Sequence, residues 1–368
     1  MLSSLSQLWR SRNKMASLRV LLIADSLGAT QHISFATPLA RRIAAGTCRL
    51  EMRDAAWLAK ASKSDIGALW RRLDPTLVIF SRYSGAHLQP IVAQARTAGV
   101  AILSHLDDDL FAVPAALGEA KFKHYNDPTR LANLRAAVEC SDLLYVSTAE
   151  LGRRLSLYGL RPPIIAGEIY CSAELLPMPS QAPEREVIGY MGTGGHAQDL
   201  AMIVPAIAAL LEKRPGLSFE TFGTIKLPDD LTRFGRRVVH HKAIDNYQSF
   251  LEKLASLRWT LGLAPLEDTD FNRCKADTKW VEYTVAGVPA VASAGVVYRR
   301  ANEAGAVSIA ETDWTDAIEA LLQSPQKRSD QLSTARQLIT TSYSAEALEQ
   351  QLLSIFAQVG AVSVAAQS

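Results

Sequence analysis

The chain has 368 residues, 48% of them hydrophobic and 21% charged, and its 39 Lys and Arg residues nearly balance its 37 Asp and Glu residues. This length suits two domains with ordinary cores, and the balanced charge argues against a nucleic acid as the main partner. The four cysteines lack CxxC spacing, so they indicate neither a zinc site nor a disulfide framework, and a reducing cytoplasm is the predicted compartment. No apolar segment reaches the ~20 residues that span a bilayer.

The first 17 residues lack the apolar core of a secretory signal. They contain three leucines in the first eight positions, followed by Arg10, Arg12 and Lys14. We predict a disordered leader over residues 1–17. The alternative is a short amphipathic segment that contacts an anionic membrane surface, which would suit a lipid-linked acceptor.

Residues 18–170 alternate between apolar runs and helical patterns, which predicts an α/β domain with a doubly wound parallel sheet. No GxGxxG motif follows the first run, so a conventional NAD-binding domain is not predicted. The predicted strands are 19–24, 77–80, 100–103, 143–146 and 164–166. The predicted helices are 32–45, 65–73, 88–98, 129–139 and 149–157.

An acidic run, with His105 ahead of Asp107, Asp108 and Asp109, comes directly after the predicted strand 100–103. Three adjacent carboxylates repel one another and need a cation, hydrogen bonds or solvent. The run is consistent with a site for a hard cation, with a helix cap on a solvated surface, or with a group that orients or deprotonates a hydroxyl.

A proline-rich segment, residues 171–186, loses periodicity and is predicted to be an interdomain linker. A strand over 187–191 and a helix over 198–213 follow, with a glycine-rich loop between them. Glycines at this position let backbone amides approach a phosphate, although a plain tight turn is the alternative. The loop consists of Gly192, Thr193, Gly194, Gly195 and His196.

The second half continues with predicted strands over 218–222, 238–241, 259–264, 289–292 and 306–310. Helices are predicted over 247–257, 276–286, 314–323, 329–341 and 345–359. Residues 268–272 superficially resemble the start of a calcium loop. Arg273 stands where that loop needs glycine and Lys279 where it needs glutamate, so no metal is predicted.

Three side chains of the predicted helix 276–286, Lys275, Lys279 and Glu282, are spaced to lie along one face. Lysines at a helix start oppose the macrodipole at a cost of roughly 0.3 to 1 kcal/mol, and a bound anion would remove this conflict. The pattern predicts a diphosphate site with Glu282 accepting hydrogen bonds from a ribose diol. The alternative is that the lysines are solvated and Glu282 pairs with one of them. The position after a buried strand favours the site.

This segment resembles the donor-site signature of two-domain GT-B glycosyltransferases, in particular the family 4 and group 1-like enzymes of bacterial polysaccharide assembly. The loop IGYMGTGGHAQDL resembles the corresponding first loop of the same enzymes. The matching residues of the signature are Pro265, Leu266, Phe271, Asn272, Lys275, Lys279, Glu282, Gly287, Val288 and Pro289. One departure is Cys274, which stands where the family often has a glutamate that contacts the sugar. The backbone of residues 272–274 is the predicted replacement for that contact.

The resemblance implies a GT-B fold in which two Rossmann-like domains, 18–170 and 187–342, face each other across a cleft, and the last segment, 343–368, returns to the first domain. It implies that Glu282 holds the ribose and that the basic residues Arg273, Lys275 and Lys279 hold the diphosphate. The acidic run would then face the cleft from the acceptor side. The nucleobase is predicted to lie against Phe222, Gly223, Thr224, His241 and Ala243.

The predicted function is transfer of a hexosyl or deoxyhexosyl group from a nucleotide-diphospho-sugar to a glycan or lipid-linked acceptor in bacterial cell-surface polysaccharide or glycolipid synthesis. The resemblance implies retention of anomeric configuration, with no metal and no cofactor. The predicted location is the cytoplasm or the inner face of the membrane. The alternatives are a sugar-nucleotide epimerase or phosphorylase of the same fold, and a non-catalytic subunit that binds a nucleotide sugar.

Overall fold

The computed structural model describes residues 17–171, 174–177, 185–310 and 313–367, with side chains to residue 362. The predicted leader and most of the predicted linker therefore lie outside the described residues. The first domain contains six parallel strands in the order β2-β1-β3-β4-β5-β6. Their bounds are Leu18–Ala24 (β1), Cys48–Asp54 (β2), Leu77–Ser81 (β3), Ala101–Leu106 (β4), Leu143–Val146 (β5) and Ile164–Ala166 (β6).

The second domain repeats this plan with six parallel strands in the order β12-β11-β10-β7-β8-β9. In each sheet the strand order reverses beside the first strand of the domain, and such reversal points open a crevice at the carboxyl ends of the strands. The bounds are Val187–Gly192 (β7), Ser218–Gly223 (β8), Val238–Lys242 (β9), Leu261–Ala264 (β10), Ala290–Ser293 (β11) and Ser308–Ala310 (β12).

Helices connect the strands and cover both faces of each sheet. In the first domain they are Ala29–Gln31, Thr37–Ala44, Ala55–Lys60, Lys63–Leu73, Gln89–Thr97, Glu119–Tyr125, Pro128–Glu139 and Ala149–Ser156, with a π-helical turn at His32–Ala36 and a 3-10 turn at Ala115–Leu117. In the second part they are Ala197–Ala201, Val204–Lys213, Tyr247–Leu257, Asp270–Arg273, Thr278–Val285, Arg299–Glu303, Trp314–Leu322, Pro325–Ser342 and Ala345–Gln367, with 3-10 turns at Gly194–His196 and Asp229–Arg237.

Two local differences from the sequence-based elements have clear physical reasons. The strand β2, CRLEMRD, was not predicted because it is an edge strand that alternates charged and apolar residues instead of forming an apolar run. The helix predicted over 198–213 is two helices, since Pro205 begins the second one and cannot continue the first. Within the described part of the chain, no single helix is long and apolar enough to cross a membrane, although the bent pair Gly194–Ala201 and Val204–Lys213 meets that test jointly.

The last helix, Ala345–Gln367, packs against the sheet of the first domain. Its residues Leu352 and Phe356 share a buried cluster with Val20 of β1. Gln351 fixes the crossing, because its side-chain amide donates to the Tyr145 hydroxyl at 3.1 Å and to the Ile169 carbonyl at 2.8 Å. The chain thus returns at its C-terminal helix to the first domain.

Candidate functional site

A cleft with a cavity of about 420 Å³ lies between the two sheets, at the carboxyl ends of their strands. It contains most of the residues that the sequence assigned to donor binding. The first domain contributes Ala29, Ile33, Asp107, Asp108 and Tyr170. The second domain contributes Met191, Gly192, Thr193, His196, Phe222, Gly223, Thr224, Ala243, Ile244, Asp245, Tyr247, Phe250, Leu266, Lys275, Ala276, Thr278, Lys279, Glu282 and Tyr298.

Both predicted lysines line this cleft, but only Lys279 belongs to a helix start. The helix begins at Thr278 instead of residue 276, so Lys275 lies on the bend between it and the short helix Asp270–Arg273. The Lys279 ammonium donates to the Tyr190 hydroxyl at 3.2 Å and to the Met191 carbonyl at 3.0 Å. It also lies 4.2 Å from the centroid of the Tyr190 ring. Burial lowers the pKa of Lys279 to about 8.

Lys275 bridges the two domains. Its ammonium lies 4.9 Å from the centroid of the Phe271 ring and 3.7 Å from Oδ1 of Asp108 across the cleft. Only 17% of its side chain is exposed. An anion entering the cleft between Lys275 and Lys279 therefore meets two cations that solvent screens poorly.

Glu282 lies at the floor of the cleft, one turn after Lys279. Burial raises the pKa of its carboxyl group to about 7, against the opposing effect of a hydrogen bond from Tyr247. The Tyr247 hydroxyl is also 3.4 Å from the Cys171 sulfur, at the end of the first domain. Tyr247 was not among the predicted site residues, because nothing in its local sequence distinguishes it from a buried helix residue.

These two pKa values predict a bell-shaped pH dependence of the affinity for a nucleoside diphosphate. Below pH 7 Glu282 is increasingly protonated and accepts hydrogen bonds less well, and above pH 8 Lys279 loses its charge. The affinity should fall on each side by up to about tenfold per pH unit. Calorimetric titration of a nucleoside diphosphate between pH 5.5 and 9.5, a range that extends about 1.5 units beyond each pKa, measures it.

Two variants assign the limbs of this profile. Lys279→Arg should flatten the alkaline limb, because a guanidinium keeps its charge. Glu282→Gln should flatten the acid limb, and any slope that remains belongs to the nucleotide itself. A wild-type affinity that is constant across the range would contradict the assignment of these two residues to the ligand.

The glycine-rich loop follows β7, and its residues Gly192, Thr193 and His196 line the cleft, whereas the predicted donor-binding residues Gly194 and Gly195 do not. The amide of Gly194 donates to Oγ1 of Thr224 at 3.2 Å. Gly223 has a φ of +121°, and a Cβ there would lie 2.2 Å from the carbonyl oxygen of Gly192. Only glycine fits at residue 223, so the loop and the end of β8 keep a close backbone approach.

His196 ends this loop and faces the cleft. Its Nδ1 lies 2.8 Å from Oδ2 of Asp199, and Asp199 also accepts a hydrogen bond from the amide of Glu267 at 2.9 Å. Although burial opposes it, the bond from His196 holds the pKa of Asp199 below its usual range. Asp199 is then an ionised acceptor and fixes the orientation of the His196 ring.

An aromatic row borders the cleft where the nucleobase was predicted. The rings of Phe222 and Phe250 stack with centroids 5.0 Å apart and an angle of 16°, and Tyr247 follows Phe250 at 6.1 Å. His241, which was predicted to belong to this edge, does not line the cavity, because its Nε2 is engaged by Glu220 at 2.8 Å. Phe250 was missed by the sequence interpretation, as it lies on a separate helix.

On the facing side of the cleft, Asp107 and Asp108 differ in their contacts. Oδ1 of Asp107 accepts from Arg82 at 2.8 Å, and its Oδ2 accepts from Thr30 and Tyr170, each at 2.9 Å. Asp108 lies 3.8 Å from Arg82 and faces Lys275. Asp107 is thus fully engaged by protein groups, and Asp108 is the carboxylate that remains accessible to a ligand.

His105 and Asp109 do not reach the cleft. The strand β4 runs to Leu106, three residues beyond the predicted end, so His105 lies inside the sheet. There its Nδ1 is 3.1 Å from Oγ of Ser81, and burial lowers its pKa to about 4. Asp109 is also buried outside the cleft, and its Oδ2 accepts a hydrogen bond from Arg154 at 3.0 Å. Asp107 and Asp109 thus bind different arginines. Among the described residues, no group of three His, Cys, Asp or Glu side chains could hold a metal ion.

Residues 271–274 lie beside the main cleft instead of in it. Arg273 is exposed and donates to both carboxylate oxygens of Asp268, at 2.6 and 2.7 Å. Cys274 is buried against the first domain, where its carbonyl accepts from Oγ1 of Thr148 at 2.8 Å. The backbone at Cys274 therefore joins the domains and does not face the donor cavity.

Solved structures of glycosyltransferases match nearly the whole chain. Sucrose-phosphate synthase from Thermosynechococcus elongatus aligns with a TM-score of 0.65 and 14% identity, covering 95% of this chain and 100% of that one. A glycosyltransferase from Rickettsia africae aligns with a TM-score of 0.64 and 10% identity, covering 94% and 99%. The Anabaena protein HepE, solved in complex with UDP-glucose, aligns with a TM-score of 0.62 and 14% identity, covering 92% and 99%.

Fold and cleft together place the chain in the GT-B class, which confirms the predicted fold. It shares this two-domain architecture with the glycosyltransferases named above. No family model and no curated protein sequence matches it.

Proposed function

We propose that this protein is a glycosyltransferase that moves a sugar from a nucleotide-diphospho-sugar to a hydroxyl acceptor. The observation that carries the proposal is one interdomain cavity that joins Lys275, Lys279 and Glu282 to the glycine-rich loop. This cavity lies at the strand-order reversal of the second sheet, where open α/β sheets bind nucleotides.

Three groups of cavity residues bind the three parts of the donor. The aromatic row at Phe222 and Phe250 takes the nucleobase, and Glu282 takes the ribose. The diphosphate lies between Lys275, Lys279 and the glycine-rich loop, where the two ammonium groups and the loop amides that have no protein partner stabilise the negative charge that develops as the nucleoside diphosphate departs. We therefore propose transfer without a metal, because two ammonium groups and backbone amides supply the needed charge.

The acceptor approaches from the first domain, where Asp108 is placed to orient its hydroxyl group. By its resemblance to enzymes of bacterial polysaccharide assembly, we assign the protein to cell-surface polysaccharide or glycolipid synthesis with retention of configuration. A cytoplasmic location, with peripheral contact to the inner membrane face for a lipid-linked acceptor, fits that role.

A thermal-shift screen of the full chain tests the donor class. UDP, GDP and dTDP, each with its hexose conjugate, are added with Mg²⁺ or with a chelator. A nucleotide present at about 100 times its Kd stabilises by roughly 2.7 kcal/mol, which raises Tm by several degrees. We expect such a shift for one nucleotide family, equal in chelator and absent in Glu282→Ala. Loss of the shift or of turnover in chelator would refute the metal-independent mechanism, and no shift with any nucleotide would refute the function.

A further inference from the structure

A second cavity, of about 250 Å³, lies between the domains beside the donor cleft. The first domain contributes the segment 112–117, and the second contributes parts of 195–199 and 267–272. Pairs of contacting side chains separate the two cavities. His196 lines the cleft and its partner Asp199 lines the second cavity, and likewise Lys275 lines the cleft and its partner Phe271 lines the second cavity.

The lining of the second cavity combines an apolar side with free polar groups. The apolar side consists of Ala112, Pro114, Leu117 and the Phe271 ring. The polar side includes the Glu267 carboxylate and the Gln198 amide, both exposed. Throughout the described chain, no protein group hydrogen-bonds either of these side chains. A lining that combines apolar groups with unengaged carboxylate and amide groups suits a pyranose, which has a C–H face and a rim of hydroxyl groups.

The second cavity is lined by more carboxylates than cationic side chains. It is lined by the carboxylates of Glu267 and Asp270, while Arg154 is already paired with Asp109 at 3.0 Å and Asp270 at 3.1 Å. An anionic ligand would face the Glu267 carboxylate, which has no ion-pair partner among the described residues, and a neutral ligand would find a hydrogen-bond acceptor. The volume is below the ~300 to 1,000 Å³ of sites for drug-sized molecules, which limits the occupant to about one sugar residue.

We propose that the second cavity binds a neutral hexosyl unit of the acceptor. The inference rests on the proposed glycosyltransferase function and names the acceptor chemistry. The Glu267 carboxylate disfavours an anionic group in this cavity, whereas Lys275 and Lys279 attract the donor diphosphate to the cleft. It also excludes acceptors that carry a phosphate or carboxylate on this residue, so charge selects the acceptor class.

Saturation-transfer NMR of the full chain, saturated with UDP, tests the proposal. The probes are the methyl α-glycosides of glucose, mannose and galactose, with glucose 1-phosphate as the anionic comparison. The variants are Ala112→Trp, which fills the cavity, and Glu267→Lys, which reverses its charge. The matched control is Asp268→Asn, because that neighbouring carboxylate is paired with Arg273 and does not line the cavity.

We expect at least one neutral glycoside to bind about tenfold more strongly than glucose 1-phosphate. The affinity for this glycoside should fall about tenfold in both cavity variants and should not change in the control. The affinity for UDP should stay within about twofold in all of them, which also shows that they fold. The proposal is overturned if no neutral glycoside binds, if binding survives Ala112→Trp, or if the variants weaken UDP-glucose relative to UDP, since the cavity would then hold the donor sugar. If UDP, GDP and dTDP all fail to bind the wild type, the proposed function fails instead.

Discussion

Replacing Lys279 by Met is expected to lower kcat/KM for the nucleotide sugar by about 10² to 10³-fold, the usual cost of removing one preorganised group that stabilises a leaving charge. The ammonium is held at the mouth of the glycine-rich loop by the Met191 carbonyl and the Tyr190 ring. Met keeps the aliphatic stem against that ring, so the change removes charge with little loss of packing. Steady-state kinetics with radiolabelled donor measures the effect, which should divide between kcat and KM.

The same variant should not destabilise the fold. Burial lowers the pKa of Lys279 to about 8, so the protonated form is disfavoured in the folded protein relative to the unfolded chain. We therefore expect the Tm of Lys279→Met to equal or exceed that of the wild type at pH 7. Lys226→Met is the matched control, because Lys226 is exposed and lies outside the cleft. A variant that loses stability and keeps its kcat/KM would assign Lys279 to the fold instead of the donor site.

Lys275, Lys279 and Glu282 line one cavity, but they do not lie along one helix as their spacing indicated. The sequence places Lys275 and Lys279 on one helix, whereas Asp277 interrupts it and the helix begins at Thr278. Burial of Asp277 beneath Tyr343, whose hydroxyl donates to it at 2.6 Å, anchors this helix start. A contact between residues 66 positions apart leaves no local signal.

The acidic run shows the limit of strand-end arguments. A strand end shifted by three residues decides whether His105 faces a cleft or the core, and the apolar pattern of β4 does not fix that end. Tyr170 and Phe250 were missed for a related reason, since each is a single aromatic residue that becomes part of the cleft only when separate segments meet. The parallel α/β fold can be predicted from the local alternation of strands and helices, but the complete set of site residues cannot.

Replacing Asp108 by Asn is expected to reduce kcat by about 10² to 10⁴-fold, the typical contribution of a positioned acid or base. Donor binding should not weaken, because Asp108 is an anion beside the proposed diphosphate position. It should instead tighten by about threefold to tenfold, since Asp108 lies 3.7 Å from the ammonium of Lys275 and competes for it. Turnover with a glycoside acceptor and calorimetric titration of UDP measure the two effects separately. Asp268→Asn is the control, as Asp268 pairs with Arg273 away from the cleft.

A double-mutant cycle with Lys275→Met separates this pairing from a general effect of negative charge. If Asp108 acts by holding Lys275, the gain in UDP affinity from Asp108→Asn disappears once Lys275 is Met, and the double variant binds UDP like Lys275→Met alone. If Asp108 acts only through its field in the cleft, the gain is the same in both backgrounds. The first result means that the donor diphosphate takes Lys275 away from Asp108 on binding. Asp108 is then freed for the acceptor hydroxyl only when the donor is in place, and Arg82 remains 3.8 Å from it.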